Sequence, residues 1–451
     1  MAEARYDVVV VGAGSAGAVV ASRLSEDLQR SVLLLEAGPD LLIDDVPPAI
    51  SGSSFNDAKL LRDRVWSDVD AVRAAGQPPK AYTRGRGIGG SSVINAMVAL
   101  PGEPQDYDAW EREWGCTGWG WSDVAPWFAR VAVPLHPARA NEHQPINRAL
   151  LRCGAGAEAA MLTRFADGRR ASVVEAYLAQ ARLRANLTVR PDTVVSTVLL
   201  SGRTACGVRL GDGTEIEAAH VVVSAGAIHS PAILWRSCID RQGIGQNLHD
   251  HVAFAIPLQL RTPADCDALP ISSLARIDSS TGVRDLQLLP MDHVDRSMPT
   301  LGLLIAAVMH VHSRGSLQMH TDVMRSPLAE FDMLSDERDV VSLRTALRAA
   351  QRCLEDPSFA AVADVLAYDD SDHGLRVSLA DYVHAAGTCR MGSADDPLAV
   401  VDVAGRVIGY EQLSVVDASV MPALPRANTH LPTVMIAERM ATRLRATLSL
   451  R

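Results

Sequence analysis

The chain has 451 residues, 48% hydrophobic and 21% charged, a balance that suits a globular protein of two lobes. Its 43 Lys+Arg against 53 Asp+Glu give a net charge of −10, which argues against nucleic acid as the main partner and against a polybasic membrane anchor. Seven cysteines, odd in number and never two residues apart, argue against a disulfide framework or a cysteine-rich zinc site.

No run of about 20 apolar residues occurs, so no membrane span is expected. The apolar start, residues 8–21, is interrupted by Gly12, Gly14 and Gly17 and lacks both a basic lead region and a signal-like cleavage site, so a cytoplasmic location is expected. Only Lys59 and Lys80 are lysines among the basic residues, a bias that reads as a GC-rich bacterial genome.

The first element is the run Tyr6-Asp7-Val8-Val9-Val10-Val11, which reads as a buried parallel strand. It runs into Gly12-Ala13-Gly14-Ser15-Ala16-Gly17, then a helical stretch from Ala18 to Leu28, then a second apolar strand, Val32 to Leu35, closed by Glu36 and Ala37. In this order Gly12 makes the tight turn, Gly14 admits a pyrophosphate, and Gly17 lets helix and strand pack closely. The helix N-terminus faces the phosphates, and Glu36, 19 residues after Gly17, suits the ribose hydroxyls. The unit predicts one dinucleotide site and leaves NAD and FAD both open. Gly154-Ala155-Gly156 follows no valine-rich strand and has no third glycine in register, so a second such unit is not expected.

Next comes Arg84-Gly85-Arg86-Gly87-Ile88-Gly89-Gly90-Ser91-Ser92-Val93-Ile94-Asn95, a loop too rich in glycine for regular structure. Its exposed N–H groups suit a phosphate or the edge of a planar ring. Further along lie Val221-Val222-Val223-Ser224-Ala225-Gly226-Ala227-Ile228-His229-Ser230-Pro231, Gly243 to His251, and His384-Ala385-Ala386-Gly387-Thr388-Cys389-Arg390-Met391-Gly392. The last two motifs are Val415-Val416-Asp417-Ala418 and Asn428-Thr429-His430-Leu431-Pro432-Thr433.

Together, and in this order, these motifs resemble the glucose-methanol-choline (GMC) oxidoreductase family over nearly the whole chain, as a shortened bacterial member. The resemblance implies an α/β fold, with a Rossmann-like FAD-binding domain and a second, sheet-containing α+β substrate-binding domain. The FAD-binding domain is expected from residues 1–46, 80–125, 186–250 and 381–451, and the substrate-binding domain from 126–185 and 251–380. In the second domain, 253–260 and 303–311 read as strands of an open sheet that 313–319 continues, and 338–354 reads as a helix.

The family binds one FAD and oxidises an alcohol by hydride transfer to it. By resemblance, Gly12, Gly14, Ser15, Ala16 and Gly17 hold the pyrophosphate, with Glu36 and Ala37 at the adenosine ribose. Gly87, Gly89, Gly90, Asn95, Met97 and Val98 line the flavin. Val195 meets the adenine, Ala225, Asp417 and Ala418 sit by the ribityl and pyrophosphate, and Thr433 lies near the isoalloxazine. Ile94 stands where some members attach FAD covalently through histidine, so the FAD is expected to be non-covalent.

An alcohol carbon donates hydride readily only as its O–H proton leaves, which calls for a base near neutral pKa. His384 aligns with the family's catalytic histidine and is assigned as proton acceptor. His430 aligns with its hydrogen-bonding partner, and the two roles can be shared or reversed. No metal site is expected, because no His/Cys/Asp/Glu group has ligand spacing. His249 and His251, flanking Asp250, read as structural. Arg426 reads as a salt bridge rather than a substrate contact.

The expected partners are a small-molecule alcohol and O2 or a quinone or protein electron acceptor. A lyase on the same scaffold, or action on an amino-sugar hydroxyl attracted by the acidic run Asp369-Asp370-Ser371-Asp372, stand as alternatives. The short connection 239–242 and the abbreviated stretch 131–171 are expected to leave the active site more open.

Overall fold

The structure is a computed structural model that describes residues 5–280 and 282–448. Residues 1–4, 281 and 449–451, which belong to the expected domains, lie outside the described residues.

The first sheet is built on the strand Tyr6–Val11, flanked by parallel strands Val32–Leu35 and Glu215–Val223. Leu187–Arg190 extends it on one side, and Leu413–Val415 pairs with the end of Glu215–Val223 on the other. Helices cover a parallel sheet on both faces, so its strands must be apolar throughout. Val8, Val9, Val10 and Leu33 to Leu35 are accordingly sealed from solvent. The start of Glu215–Val223 joins an antiparallel meander with Thr204–Leu210 and Val195–Ser201.

The helix Gly17–Leu24 starts directly after the glycine turn and is buried along almost its whole length. A Cβ at Gly17 would lie 1.8 Å from the Gly12 carbonyl oxygen, so only glycine allows this helix to sit on this strand. The C-terminal helix His430–Leu448 packs against it. Arg23 joins the two through paired bonds of 2.8 and 2.7 Å to Glu438, and the Tyr177 hydroxyl donates to the same carboxylate at 2.8 Å. Residues 171–181, expected with the second domain, instead bury Val174, Tyr177 and Leu178 in this first core.

The second sheet is antiparallel, in the order Ala363–Val365, Val252–Leu260, Leu301–Val308, Leu286–Met291, Ser273–Ile277 and Glu158–Ala159. The helix Glu337–Leu354 covers one face through Leu343, Ala346, Leu347 and Ala350. Ser316–Gln318, expected to continue this sheet, belongs to a separate small one with Leu328–Glu330, Asp70–Val72 and Lys80–Ala81. Gly315 explains the departure. The Leu248 and Gly315 backbones exchange hydrogen bonds, and a Cβ at Gly315 would lie 1.8 Å from the Glu330 carbonyl oxygen, so the chain leaves the second sheet and runs beside residue 330.

Glu438 is fully buried and Arg23 is about a quarter exposed, so removing Arg23 strands a carboxylate out of water. Arg23→Ala is expected to lower the unfolding free energy by about 3–5 kcal/mol, read from chemical unfolding midpoints. A loss below about 1 kcal/mol would instead mark the pair as equivalent to a surface contact.

Candidate active site

A cavity of ≈ 440 Å³ lies where the carboxyl ends of the parallel strands face the second sheet. Open α/β sheets bind ligands at this position, because loops diverge there and helix N-termini point in. Gly12, Gly14, Ser15, Ala16, Glu36 and Ala37 line one end. Val195, Ala225, Asp417 and Ala418 line it from neighbouring strands.

Gly17, Gly87 and Gly89, expected to touch the cofactor, do not line the cavity; they shape its wall. Gly87 and Gly89 adopt φ +101° and +94°, conformations open to glycine, and turn the loop back toward the first motif. The Gly89 N–H donates to the Ala13 carbonyl at 2.9 Å. A Cβ on Gly90 would lie 2.8 Å from the Gly14 Cα, so the two glycine loops meet backbone to backbone. Glu36 clamps the assembly. Its Oε2 accepts the Ala13 N–H at 2.8 Å, and its Oε1 accepts those of Gly87 and Gly38 at 2.9 and 3.0 Å.

The other end is lined by Gly90, Asn95, Met97, Val98 and Thr433, together with His384 and His430. Asn95 is oriented by the buried Arg170, which donates to its carbonyl and side-chain oxygens at 2.6 and 2.9 Å. Phe55, Ile271, Leu289, Met291, Ile305 and Tyr382 supply apolar walls. Phe55, Ile271, Leu289 and Met291 are each under a tenth exposed, as is His384, so this end is enclosed, against the expected open site. The cover comes from the second sheet and the helix Phe55–Lys59, not from the abbreviated stretches. The opening lies elsewhere, where the lining residue Met324 is 70% exposed.

His384 and His430 come from segments 46 positions apart and both line the cavity. The Nδ1 of His384 lies 2.9 Å from the Nδ1 of His251, with the rings nearly perpendicular. Its Nε2 faces the Asn428 amide Nδ2 at 3.5 Å. The Nδ1 of His430 pairs with the Ser15 hydroxyl at 3.0 Å. Burial holds His384 well below the usual histidine pKa, the nearby His251 adding to this, and pushes His430 down to about 4. Both rings are therefore neutral at pH 7.

Beneath them lies Asp250. Its Oδ1 accepts the N–H groups of His251 and His384 at 2.7 and 3.0 Å, and its Oδ2 accepts the Tyr82 hydroxyl at 2.7 Å. Asp250, His251 and His384 place ligand-type atoms within 4.8 Å of one another, and these hydrogen bonds account for the grouping.

The family described as GMC oxidoreductase matches the chain over residues 6–253 and again over 311–437. The chain belongs to the GMC oxidoreductases. It is 32% identical to 5-(hydroxymethyl)furfural oxidase from Methylovorus sp. (strain MP688), over 98% of this chain and 99% of the relative. It is 30% identical to oxygen-dependent choline dehydrogenase 1 from Chromohalobacter salexigens, over 99% and 96%. The alignment with the furfural oxidase spans 536 residues against a chain of 451, so the relative carries segments that this chain lacks. Among solved structures, pyridoxine 4-oxidase from Mesorbium loti superposes with a TM-score of 0.88 at 29% identity, covering 97% and 99% of the two chains.

The protein is thus an FAD-dependent oxidoreductase acting on the CH–OH group of an alcohol. The lyase alternative finds no support among these relatives. The residues fit the cofactor. The bare backbones of Gly14 and Gly90 form a cradle that side chains would fill. At the enclosed end, the buried Asn428 Oδ1 and His430 Nε2 have no hydrogen-bond partner among the described residues and are free for a bound molecule. No helix among the described residues is long and apolar enough to cross a membrane.

Several residues here escaped the sequence reading. Asp250 and His251 looked structural, yet they touch His384. The signal was present in the His-Asp-His triplet, since a carboxylate between two histidines suits a buried polar network. Asn428 stood inside a recognised motif without a role. Arg426 behaves as expected. It forms a buried pair with Asp106 at 3.3 Å and stays off the cavity.

Proposed function

We propose that His384 is the proton acceptor and His430 the hydrogen-bond donor that together hold the substrate hydroxyl, on a compact aromatic or heteroaromatic primary alcohol. The observation that carries this reading is that two neutral, buried imidazoles line the cavity that fits FAD. Bound FAD supplies the acceptor for the hydride. Ser15 donating to Nδ1 leaves His430 with its proton on Nε2, facing the substrate oxygen. His384 offers an unprotonated Nε2 to the hydroxyl proton. The substrate oxygen then accepts one hydrogen bond and donates one, which fixes its carbon. Gly12, Gly14, Ser15, Ala16, Glu36, Ala37, Val195, Ala225, Asp417 and Ala418 hold the nucleotide in this reading, while Gly90, Asn95, Met97, Val98 and Thr433 hold the flavin.

The substrate class rests on Lys59. Its ammonium lies 4.2 Å over the Phe55 ring at the apolar end of the cavity, with no carboxylate within 4 Å among the described residues. Burial pushes it down to about 8. A cation here disfavours a quaternary-ammonium alcohol such as choline and favours a ring bearing an acidic or electron-rich group. This is consistent with hydroxymethyl-furan and pyridine alcohols of the kind named for two relatives. The acidic run 369–372 does not line the cavity, and Asp372 pairs with Arg344, so nothing there draws an amino sugar. O2 as electron acceptor is supported by the oxidase relatives.

Three outcomes test this. In anaerobic rapid mixing, His384→Ala is expected to slow flavin reduction by about 10²–10⁴-fold; an unchanged rate rejects the assignment. The apolar Ile94 offers no attachment point, so acid precipitation should release all the FAD, and yellow pellets contradict a dissociable cofactor. Lys59→Met should lower kcat/KM for 4-(hydroxymethyl)benzoate about tenfold or more, with little change for benzyl alcohol. Equal losses on both alcohols remove Lys59 from specificity.

A further inference from the structure

Resting on the reading of His384 as base, we infer that His251 is a positioning residue that locks the His384 tautomer with the free lone pair on Nε2, toward the substrate. The two Nδ1 atoms lie 2.9 Å apart, so one proton sits between them and one ring must donate to the other. Two arrangements satisfy that contact. In the first, His384 carries the proton on Nδ1 and donates to His251, which leaves Nε2 of His384 basic. In the second, His251 donates, and His384 is protonated on Nε2 and useless as a base.

The surroundings of the pair decide between them. The His251 ring sits against the carbonyls of Pro425 and Met309, which favour a ring N–H. His251 Nε2 has no hydrogen-bond partner among the described residues. In the first arrangement His251 carries its proton on Nε2, and in the second on Nδ1, so the contact at the far side of His384 discriminates between them. The amide Nδ2 of Asn428 lies 3.5 Å from His384 Nε2, which suits an unprotonated nitrogen and disfavours a second N–H there; at that length the contact yields to a substrate hydroxyl.

Asp250 fixes the positions rather than the protons. It accepts the backbone N–H groups of both histidines. The charged and titratable groups facing the pair are Asp250, Tyr82, Tyr382 and Arg84. Tyr382 packs edge-on against both rings, and Arg84 further disfavours a charged His384. Both histidines stay neutral, so the pair acts as a tautomer lock and not as a charge relay.

The test compares His251→Leu, His251→Asn and His384→Ala as FAD-loaded enzymes in anaerobic rapid mixing with benzyl alcohol across pH 6 to 10. Leucine removes the acceptor for His384 Nδ1–H, while the Asn side-chain oxygen can occupy its place. His251→Leu is expected to slow flavin reduction about 10–100-fold at pH 7, the usual cost of removing a second residue that orients a reactive histidine. Substrate Kd should change little. Both rings are neutral over this range, so the deficit should be the same from pH 6 to 10. His251→Asn is expected to recover most of the rate. Flavin content and the flavin spectrum confirm that each variant is folded and loaded. A wild-type rate in His251→Leu, or an equal deficit in His251→Leu and His251→Asn, overturns the lock. An unchanged rate in His384→Ala overturns the parent assignment and the lock with it, whereas a slow His384→Ala beside a normal His251→Leu overturns the lock alone.

Discussion

The active site depends on a single buried carboxylate. Asp250 accepts two backbone N–H groups and one phenol hydroxyl, and so ties together residues 82, 250–251 and 384. Burial raises its pKa to about 7, with the charge of Asp381 adding to the rise. That cost is tolerated because its three donors satisfy it, and because losing any one would leave a buried polar group unpaired. Tyr82 passes the constraint on by accepting the Ala385 N–H at 2.8 Å. The backbone on either side of His384 is thereby held from below. Val383 sits just before it at φ +55°, a conformation a β-branched residue adopts only when its surroundings impose it.

The cofactor end obeys a different constraint, steric rather than electrostatic. A Cβ on Gly90 would lie 2.8 Å from the Gly14 Cα, and Glu36 holds the two loops by accepting three N–H groups. This gives Glu36 a structural role beside its proposed role at the ribose. The two ends of the chain meet here through Arg23 and Glu438, so the helix that begins at His430 is anchored to the helix that begins at Gly17.

Burial also sets the chemistry. His384, His251 and His430 all lose basicity because a charged imidazole is poorly solvated in this enclosed end. Neutral rings are what hydroxyl deprotonation requires. The apolar walls that lower these pKa values also close this end of the cavity to water.

Much of this was legible in the sequence. The valine run of residues 8–11, the three glycines after it and the acid at 36 dictate a strand, a tight turn and a clamp by local sterics alone. The family pattern singled out His384 and His430, and both line the cavity. Three features were not legible. His251 contacts His384 across 133 positions, Lys59 reaches the cavity from a short helix, and residue 316 turns into a separate sheet. Local sequence determines backbone conformation and burial preference, because these depend on near neighbours and on side-chain polarity. Which nitrogen faces which, and which cation reaches the cavity, depends on segments far apart in the chain, so only the tertiary structure decided them.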